Sequence, residues 1–397
     1  MTYPFSPDLL ERMPEELAQL YRNLEITLLK EICSRLKISE QLNEVTMQDI
    51  KALRSYGISM EEIKKAIQQA AGISAKKLDK LLNDAVERNQ QYYTELIDIA
   101  GVTAPEYLIS ELDISAIIRQ TQDELRNIAR SMGFLVDSGR TMLPPAKAYQ
   151  WALDNAVMQI ESGAINYQTA ISNAALQLSA SGLKVVNYES GHTDQADVAV
   201  RRAIMTGVNQ LNQKYREQSM EYLGTDLVEV TAHLGARNIQ GPNGWEAHTV
   251  WQGKVYRWRD KPHTSTGEYP DFEASCGLGS VTGIGGANCR HSYFPFVEGV
   301  SKSVYTDAQL ESMKPENRAK ILFDGKEYDD YQATQFQRRM ERTVRKLKRD
   351  RAALQAVGDT EKEQAVLAKT RALTAKYREF SKAAGLPTQF ERMVVRE

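Results

Sequence analysis

The chain has 397 residues, of which 42% are hydrophobic and 26% charged, and this composition excludes disordered, collagen-like and small disulfide-rich proteins. No stretch approaches the roughly 18 apolar residues of a membrane-spanning helix, and no basic region with an apolar core opens the chain, so we expect neither a membrane segment nor a secretory signal. The net charge of −2 combines an acidic first third of the chain with a basic segment near its end, which excludes a uniformly DNA-coating protein. The three cysteines cannot form a disulfide framework, so a reducing cytoplasm is the expected setting.

Helical periodicity dominates the first 225 residues. Ser6 and Pro7 form an N-terminal cap, and Pro14 restarts a helix whose apolar stripe runs to Ile32. Short connections between these segments indicate an antiparallel helical bundle. The other helices predicted here cover residues 46–57, 59–72 (opened by a capping box at Ser59), 74–100, 105–132, 147–162, 167–180 and 194–223.

The character of the sequence changes at Asp226. Residues 227–230 and 250–256 favour β-strands, with Gly253 as a turn or bulge residue in the second run. Five glycines fall within residues 277–286 and predict a long ordered loop with several positive-φ positions. This run lacks the Gly-Lys-Ser/Thr ending of a phosphate-binding loop and the helix of a dinucleotide fingerprint.

Two long basic helices, at 328–357 and 360–384, are predicted to join at Gly358-Asp359. Residues 337–382 hold 14 Lys/Arg against 6 Asp/Glu, whereas residues 1–135 hold 16 against 21. Such a basic helix face could follow the phosphates of nucleic acid, and the alternatives are a solvated face or a seam with a partner subunit. The candidate nucleic-acid-binding residues on this face are Arg338, Arg342, Arg345 and Arg349.

These patterns predict an α+β fold that is mostly α. Four segments follow from the changes in composition. They are a helical docking region (1–135), a helical connector (136–225), a small Gly/His/Trp-rich α+β module (226–300) and a basic helical C-terminal region (301–397).

The histidines, which are the usual residues of metal-binding and acid–base sites, are clustered in one part of the chain. All five lie within 100 residues, close to two of the three cysteines and three of the four tryptophans. A special site is therefore expected within residues 226–296. The histidines are His192, His233, His248, His263 and His291.

The sharpest local pattern is Asn288-Cys289-Arg290-His291. Residues two apart on an extended chain point to the same side, so Cys289 and His291 could share one metal ion. His233 and His248 would complete a Cys-His₃ tetrahedron for a structural zinc ion, with Cys276 in reserve. The alternative is a buried thiol with histidines that hydrogen-bond to the loop backbone.

The same residues allow a catalytic interpretation. His233 and His248 could act as acid and base while Arg237 holds a phosphate, or Cys289 and His291 could form a thiolate–imidazolium pair. No recognised nucleophile motif and no group of carboxylates accompanies them. We therefore expect a protein that is not an enzyme, with a metal-assisted nuclease or hydrolase, or a DNA-binding module, as alternatives.

Three motifs carry a resemblance to a known family: Thr231-Ala-His-Leu-Gly-Ala-Arg237, His248-Thr-Val-Trp-Gln-Gly-Lys-Val-Tyr256 and Gly285-Gly-Ala-Asn-Cys-Arg-His-Ser-Tyr-Phe-Pro-Phe296. Together they resemble the phage minor capsid protein 2 family, which is distantly similar to the phage head-morphogenesis domain. The basic segment from Tyr331 to Arg349 is similar as well, so the resemblance covers most of the chain.

The resemblance implies a structural protein of the virion, made in the host cytoplasm, that acts near the portal in head assembly and in DNA packaging or ejection. It implies portal or capsid proteins as partners, and phage DNA through the basic helices. His291 stands where relatives often have a second cysteine, and His233 and His248 stand in place of an upstream cysteine pair. Residues 238–246 look like an insertion that would move His248 away from the others.

Overall fold

The computed structural model describes residues 3–38, 60–161, 166–186, 192–262, 264–286 and 289–395. The predicted helix at 46–57, the capping box at Ser59, and His263 lie outside these residues. Within the described ranges the fold is mostly helical with small antiparallel sheets, as predicted.

The α-helices of the described residues begin and end close to the residues that were predicted to cap or terminate them. Ser6 caps the first helix by accepting a hydrogen bond from the Leu9 amide, and Gly224 and Gly358 end two long helices in the left-handed conformation. The helices are α1 (Pro7–Arg12), α2 (Glu15–Ile38), α3 (Met60–Ile99), α4 (Glu111–Arg130), α5 (Pro145–Glu161), α6 (Tyr167–Ser181), α7 (Ala196–Leu223), α8 (Phe272–Cys276), α9 (Asp307–Met313), α10 (Asp330–Val357) and α11 (Thr360–Ala383).

Within the described ranges, three antiparallel sheets accompany the helices. Strands β1 (Met132–Val136), β2 (Thr141–Leu143), β3 (Lys184–Val186) and β4 (Thr193–Gln195) form one sheet in the order β2-β1-β3-β4. Strands β5 (Leu227–Val230), β6 (Val255–Arg257) and β7 (Tyr293–Phe296) form a second, with β5 in the centre. Strands β8 (Ile321–Phe323) and β9 (Lys326–Tyr328) form a hairpin before α10.

Three predictions of local structure were wrong. The segment 132–195 carries a sheet that we did not predict, because its strands are short and show no alternation. Val250 ends a 3₁₀ turn (His248–Val250) and Trp251 caps it, so neither extends a strand, because their amides donate to the Ala247 and His248 carbonyl oxygens instead of to a neighbouring strand. The helix expected from Pro105 begins only at Glu111, where Ser110 supplies the cap.

The predicted break at Gly72 was also wrong, since α3 continues through it for 40 residues. Ser74 does not cap a new helix; its hydroxyl donates back to the Ala71 carbonyl and lies 3.4 Å from the Tyr21 hydroxyl of α2. Packing of α3 against α2 therefore stabilises a continuous helix despite the low helix propensity of glycine.

Replacing Gly72 by alanine should stabilise the protein by about 1 kcal/mol. The position is exposed within α3, and no atom lies within 4 Å of the methyl group that the substitution adds. Urea unfolding followed by circular dichroism would measure the change as a higher midpoint with an unchanged slope. A Gly72→Ala protein less stable than the wild type would mean that the helix is interrupted there.

The packing joins segments that are far apart in sequence. The largest apolar core runs from Phe5 to Val357 and includes Phe294 of β7, whose ring stacks on Tyr3 at 4.2 Å. A second core fills the module around Trp251, and a third lies between α10, α11 and the C-terminal 3₁₀ helix Phe390–Met393. The four-segment division stays a prediction.

No helix within the described ranges is both long and apolar enough to cross a membrane.

Candidate metal centre

The sheet formed by β5, β6 and β7 brings two of the predicted histidines together. Antiparallel pairing aligns Val230 of β5 with Tyr293 of β7, so His233 just after β5 lies beside His291 just before β7. Their rings stack at a centroid distance of 4.4 Å. The backbone amide of His233 donates to the Gln252 side chain, which ties this loop to the 3₁₀ turn.

His248 joins this pair despite the preceding insertion. Its ring centroid lies 5.2 Å from that of His291, and both rings pack against the buried Trp251. The segment 238–246 folds on itself instead of displacing His248, with the Asn243 side chain donating to Glu246. The tryptophan thus forms the apolar wall that holds two candidate ligands.

Three side chains form a group that could hold a metal ion. One ligand atom from each of His248, Cys289 and His291 lies within 4.8 Å of the others. The Sγ atom of Cys289 is 3.5 Å from Nδ1 of His291, as their i, i+2 spacing predicts, and Arg290 turns the other way to contact Glu11. Thiolate sulfur and imidazole nitrogen are ligands that zinc accepts.

Hydrogen bonds to oxygen atoms orient the rings of His248 and His291 through their Nε2 atoms. Nε2 of His291 lies 3.1 Å from Oε1 of Gln252, and Nε2 of His248 lies 2.9 Å from the Thr282 carbonyl oxygen. Each contact places the proton on Nε2 and leaves Nδ1 as a lone pair, the arrangement typical of metal-binding histidines. The donor set therefore fits a metal ion with three protein ligands.

Burial sets the protonation of this group. It lowers the pKa of His291 well below its ordinary value, with His233 and His248 adding to the effect, and it lowers the pKa of His248. Both rings are therefore neutral at neutral pH, as ligands must be. Burial also raises the pKa of the Cys289 thiol, so a bound cation would have to displace its proton.

His233 and Cys276 lie near the group but outside it. Nδ1 of His233 lies 2.9 Å from the Leu234 carbonyl oxygen and 3.1 Å from Nη2 of Arg290. Its Nε2 atom is buried and has no hydrogen-bond partner among the described residues. Burial first, and then Arg290, lower the pKa of His233 to about 3. Cys276 is fully buried in the apolar core of the module, and His233 as a metal ligand stays a prediction.

The glycine-rich loop places the carbonyl oxygen of Thr282 within hydrogen-bond distance of His248. Hydrogen bonds from the amides of Ser280 and Ile284 to the carbonyls of Gly277 and Cys276 fold it into consecutive turns. A methyl group at Gly283 would meet the Gly277 carbonyl oxygen at 1.9 Å, closer than any real contact. The loop is thus an ordered part of the site, and the dense glycines allow this close approach.

Replacing Gly283 by alanine should cost about 3 kcal/mol, because backbone rather than a flexible side chain blocks the added methyl group. The matched control is Gly279→Ala, which has φ +81° but open space around the methyl group, so about 1 kcal/mol is expected. Chemical denaturation of both variants measures the difference. Equal losses would mean that the close packing of the loop is not needed.

A basic cavity of about 190 Å³ opens beside this group. His233 and His248 form one wall, and the first turns of α10 form another. Among the described residues that line the cavity there is no carboxylate. The arginines that line it are Arg237, Arg290, Arg338 and Arg342.

The predicted nucleic-acid face of α10 divides between inward and outward contacts. Arg338 forms an ion pair with Glu11 at 2.5 Å, and Arg345 donates to the Arg392 carbonyl oxygen at 3.0 Å. Arg342 is exposed and makes no hydrogen bond or ion pair within the described part of the chain. Nucleic-acid binding by this face stays a prediction.

Arg349 is also directed inward. Its side chain is 11% exposed, lies 3.4 Å from the Glu25 carboxylate and donates to the Ser179 carbonyl oxygen. Burial raises the pKa of Glu25 more than Arg349 lowers it. This arginine therefore stabilises the junction of α10 with α2 and α6.

Sequence patterns alone missed the residues that hold the site in place. Gln252 and Thr282 orient the histidines through single oxygen atoms, and no spacing rule points to either. Glu11 pairs with Arg290, a residue 279 positions away. No local pattern in the sequence identifies Glu11 as the partner of an arginine so far along the chain.

The chain is similar to known phage proteins. A curated "Structural protein" of Lactococcus phage LL-H is 24% identical over 316 residues, which cover 78% of this chain and 78% of that protein. No solved structure matches the chain. A family model described as phage minor capsid protein 2 matches residues 5–382, nearly the whole length. The chain therefore belongs to the phage minor capsid protein 2 family.

Proposed function

We propose that this protein is a minor structural component of a tailed-phage head, acting near the portal in head assembly and in DNA packaging or ejection. The observation that carries the proposal is the family match over residues 5–382, supported by the relative named as a phage structural protein. Its partners would be portal or capsid proteins, and it would work as a structural element rather than an enzyme. It would be made in the host cytoplasm and end in the virion.

Deletion of the gene from the phage or prophage, with complementation from a plasmid, tests this role. We expect particles that lack packaged DNA or fail to inject it, seen by electron microscopy and by infectivity, and rescued by the wild-type gene. DNA-filled heads of normal infectivity without this protein would contradict the proposal.

We further propose that His248, Cys289 and His291 hold a structural zinc ion. When bound, zinc would supply a cross-link between the loop before β7 and the 3₁₀ turn. The 3.5 Å approach of Cys289 to His291 and the two oriented histidine rings support this assignment. His233 remains the candidate from the sequence for a fourth ligand.

We propose that contact with DNA uses the outward part of the basic face of α10. Arg342 and the neighbouring exposed Arg339 are the side chains that support this, since Arg338, Arg345 and Arg349 contact protein groups. Each phosphate contact adds to the salt dependence of binding. Arg342→Gln together with Arg339→Gln should reduce the slope of affinity against salt by about 2. An unchanged slope would remove α10 as the contact.

A metal-assisted hydrolase is the second candidate, favoured by one observation: His233, His248 and Arg237 line the same cavity. Plasmid nicking with added divalent metals, lost in His233→Ala, is the result this candidate predicts. An absence of nicking across Mg²⁺, Mn²⁺ and Zn²⁺ would exclude it.

A further inference from the structure

We infer that the basic cavity between the module and α10 is a binding site for a phosphate group. The cavity of about 190 Å³ is lined by Arg237, Arg290, Arg338 and Arg342 together with His233. A phosphate group presents several acceptor oxygens, which planar guanidinium groups bind in pairs of hydrogen bonds. The inference is independent of the role in the phage head.

The positive charge of the cavity favours the binding of an anion. Like charges held together in a partly enclosed space repel one another more strongly than in water. Two of the arginines in the cavity wall, Arg290 and Arg338, pair with the same carboxylate, Glu11. Glu11 also pairs with Arg392, which lies outside the cavity. Among the described residues, one carboxylate shared by several arginines leaves the cavity with an excess of positive charge, which an anion with two negative charges would offset.

His233 supplies an independent observation. Its Nε2 atom is buried, lacks a partner within the described ranges, and belongs to a ring in the cavity wall. Nδ1 lies 3.1 Å from the Arg290 guanidinium, which can only donate, and 2.9 Å from the Leu234 carbonyl oxygen, which can only accept. A bound phosphate selects the tautomer with the proton on Nε2, in which Arg290 donates to Nδ1 and a phosphate oxygen accepts from the buried Nε2 donor. In this inference His233 serves the anion and not the metal ion.

The geometry also explains how the cavity is kept open. Arg237 and His248 both direct a nitrogen to the Thr282 carbonyl oxygen, at 3.4 and 2.9 Å. Arg290 and Arg338 both contact Glu11, at 2.7 and 2.5 Å. Three arginines are therefore positioned before any ligand arrives, and preorganisation of this kind strengthens binding. Arg342 is the arginine left to close over the anion.

Calorimetric titration of the full chain with inorganic phosphate, against chloride at matched ionic strength, tests the site. We expect saturable binding and a higher melting temperature in phosphate than in chloride. Arg342→Gln should weaken the affinity about tenfold. The control is Arg371→Gln, an exposed arginine on α11 outside the cavity that removes the same charge, and it should bind like the wild type.

The metal content of each protein, measured in the same samples, is expected to be unchanged by Arg342→Gln. Competition with 5′-phosphorylated and unphosphorylated oligodeoxynucleotides identifies the source of the phosphate. Displacement by the phosphorylated form alone assigns a DNA end, and displacement by neither assigns a free phosphate; both results support the site. No stabilisation beyond chloride, or equal losses of affinity in Arg342→Gln and Arg371→Gln, would overturn the inference.

Discussion

Replacing Glu11 by glutamine should lower the free energy of unfolding by about 3 kcal/mol or more, a large effect for one surface-proximal residue. The Glu11 side chain is 8% exposed and contacts Arg290, Arg338 and Arg392 at 2.5 to 2.7 Å. These arginines come from the module, the basic helix and the C-terminal segment. Removal of the carboxylate leaves three poorly hydrated cations facing one another, and that cost exceeds the value of any single pair.

The control for this variant is Glu16→Gln, four residues beyond the end of α1. Glu16 pairs with Lys77 across an exposed surface, where its side chain is 69% exposed. A pair of this kind contributes at most about 1 kcal/mol, so the variant should unfold almost as the wild type does. Urea midpoints that shift equally for both variants would contradict the role of Glu11.

The acid dependence of the Glu11 variant provides a second test of the same interaction. Burial raises the pKa of Glu11, but Arg338, Arg392 and Arg290 together outweigh it and lower the pKa from 4.5 to about 2. The unfolded chain therefore takes up this proton at a higher pH than the folded chain. The stability that Glu11 contributes is present above pH 4.5 and is lost as the pH falls through about 2. The difference in stability between wild type and Glu11→Gln should shrink over that window.

Replacing Cys289 by alanine should abolish metal binding and destabilise the module. We expect about one zinc ion per chain in the tag-free wild type and almost none in the variant, because Cys289 supplies the thiolate of the group. Structural zinc sites bind with free energies on the order of 10 kcal/mol, so even a modest share would lower the melting temperature clearly. Elemental mass spectrometry and calorimetry on the same samples measure both effects.

Cys276→Ala is the matched control for the metal site. Cys276 is fully buried in the module core and lies outside the group of candidate ligands. Its substitution should cost stability by loss of packing, but the metal content should stay at the wild-type value. Zinc that is absent from the wild type, or retained in Cys289→Ala, would contradict the assignment.

The helices were the most predictable part of the fold, because their ends carry local chemistry. Ser6 accepts the capping hydrogen bond that its position indicated, and Gly358 separates α10 from α11 as expected. Gly72 failed as a signal because packing of α3 on α2 outweighs the propensity of one residue. The strands at 132–195 were missed because three-residue strands owe their stability to partners distant in sequence.

The candidate site could be predicted only where its residues are close in the chain. The i, i+2 relation of Cys289 and His291 holds, and their distance confirms that both side chains face one point. His248 joins them through a 3₁₀ turn whose last residue, Val250, was predicted to begin a strand. Charge patterning identified the basic helix but could not show that Arg338 and Arg349 pair with acidic residues of the first two helices. Ion pairs between distant segments leave no local signal.

Quantitative mass spectrometry of purified phage particles tests the proposed role most directly. If the protein is a minor head component, it should be present in DNA-filled particles at a constant ratio, well below that of the major capsid protein. Its absence from these particles, with normal amounts in the infected-cell lysate, would contradict a place in the virion.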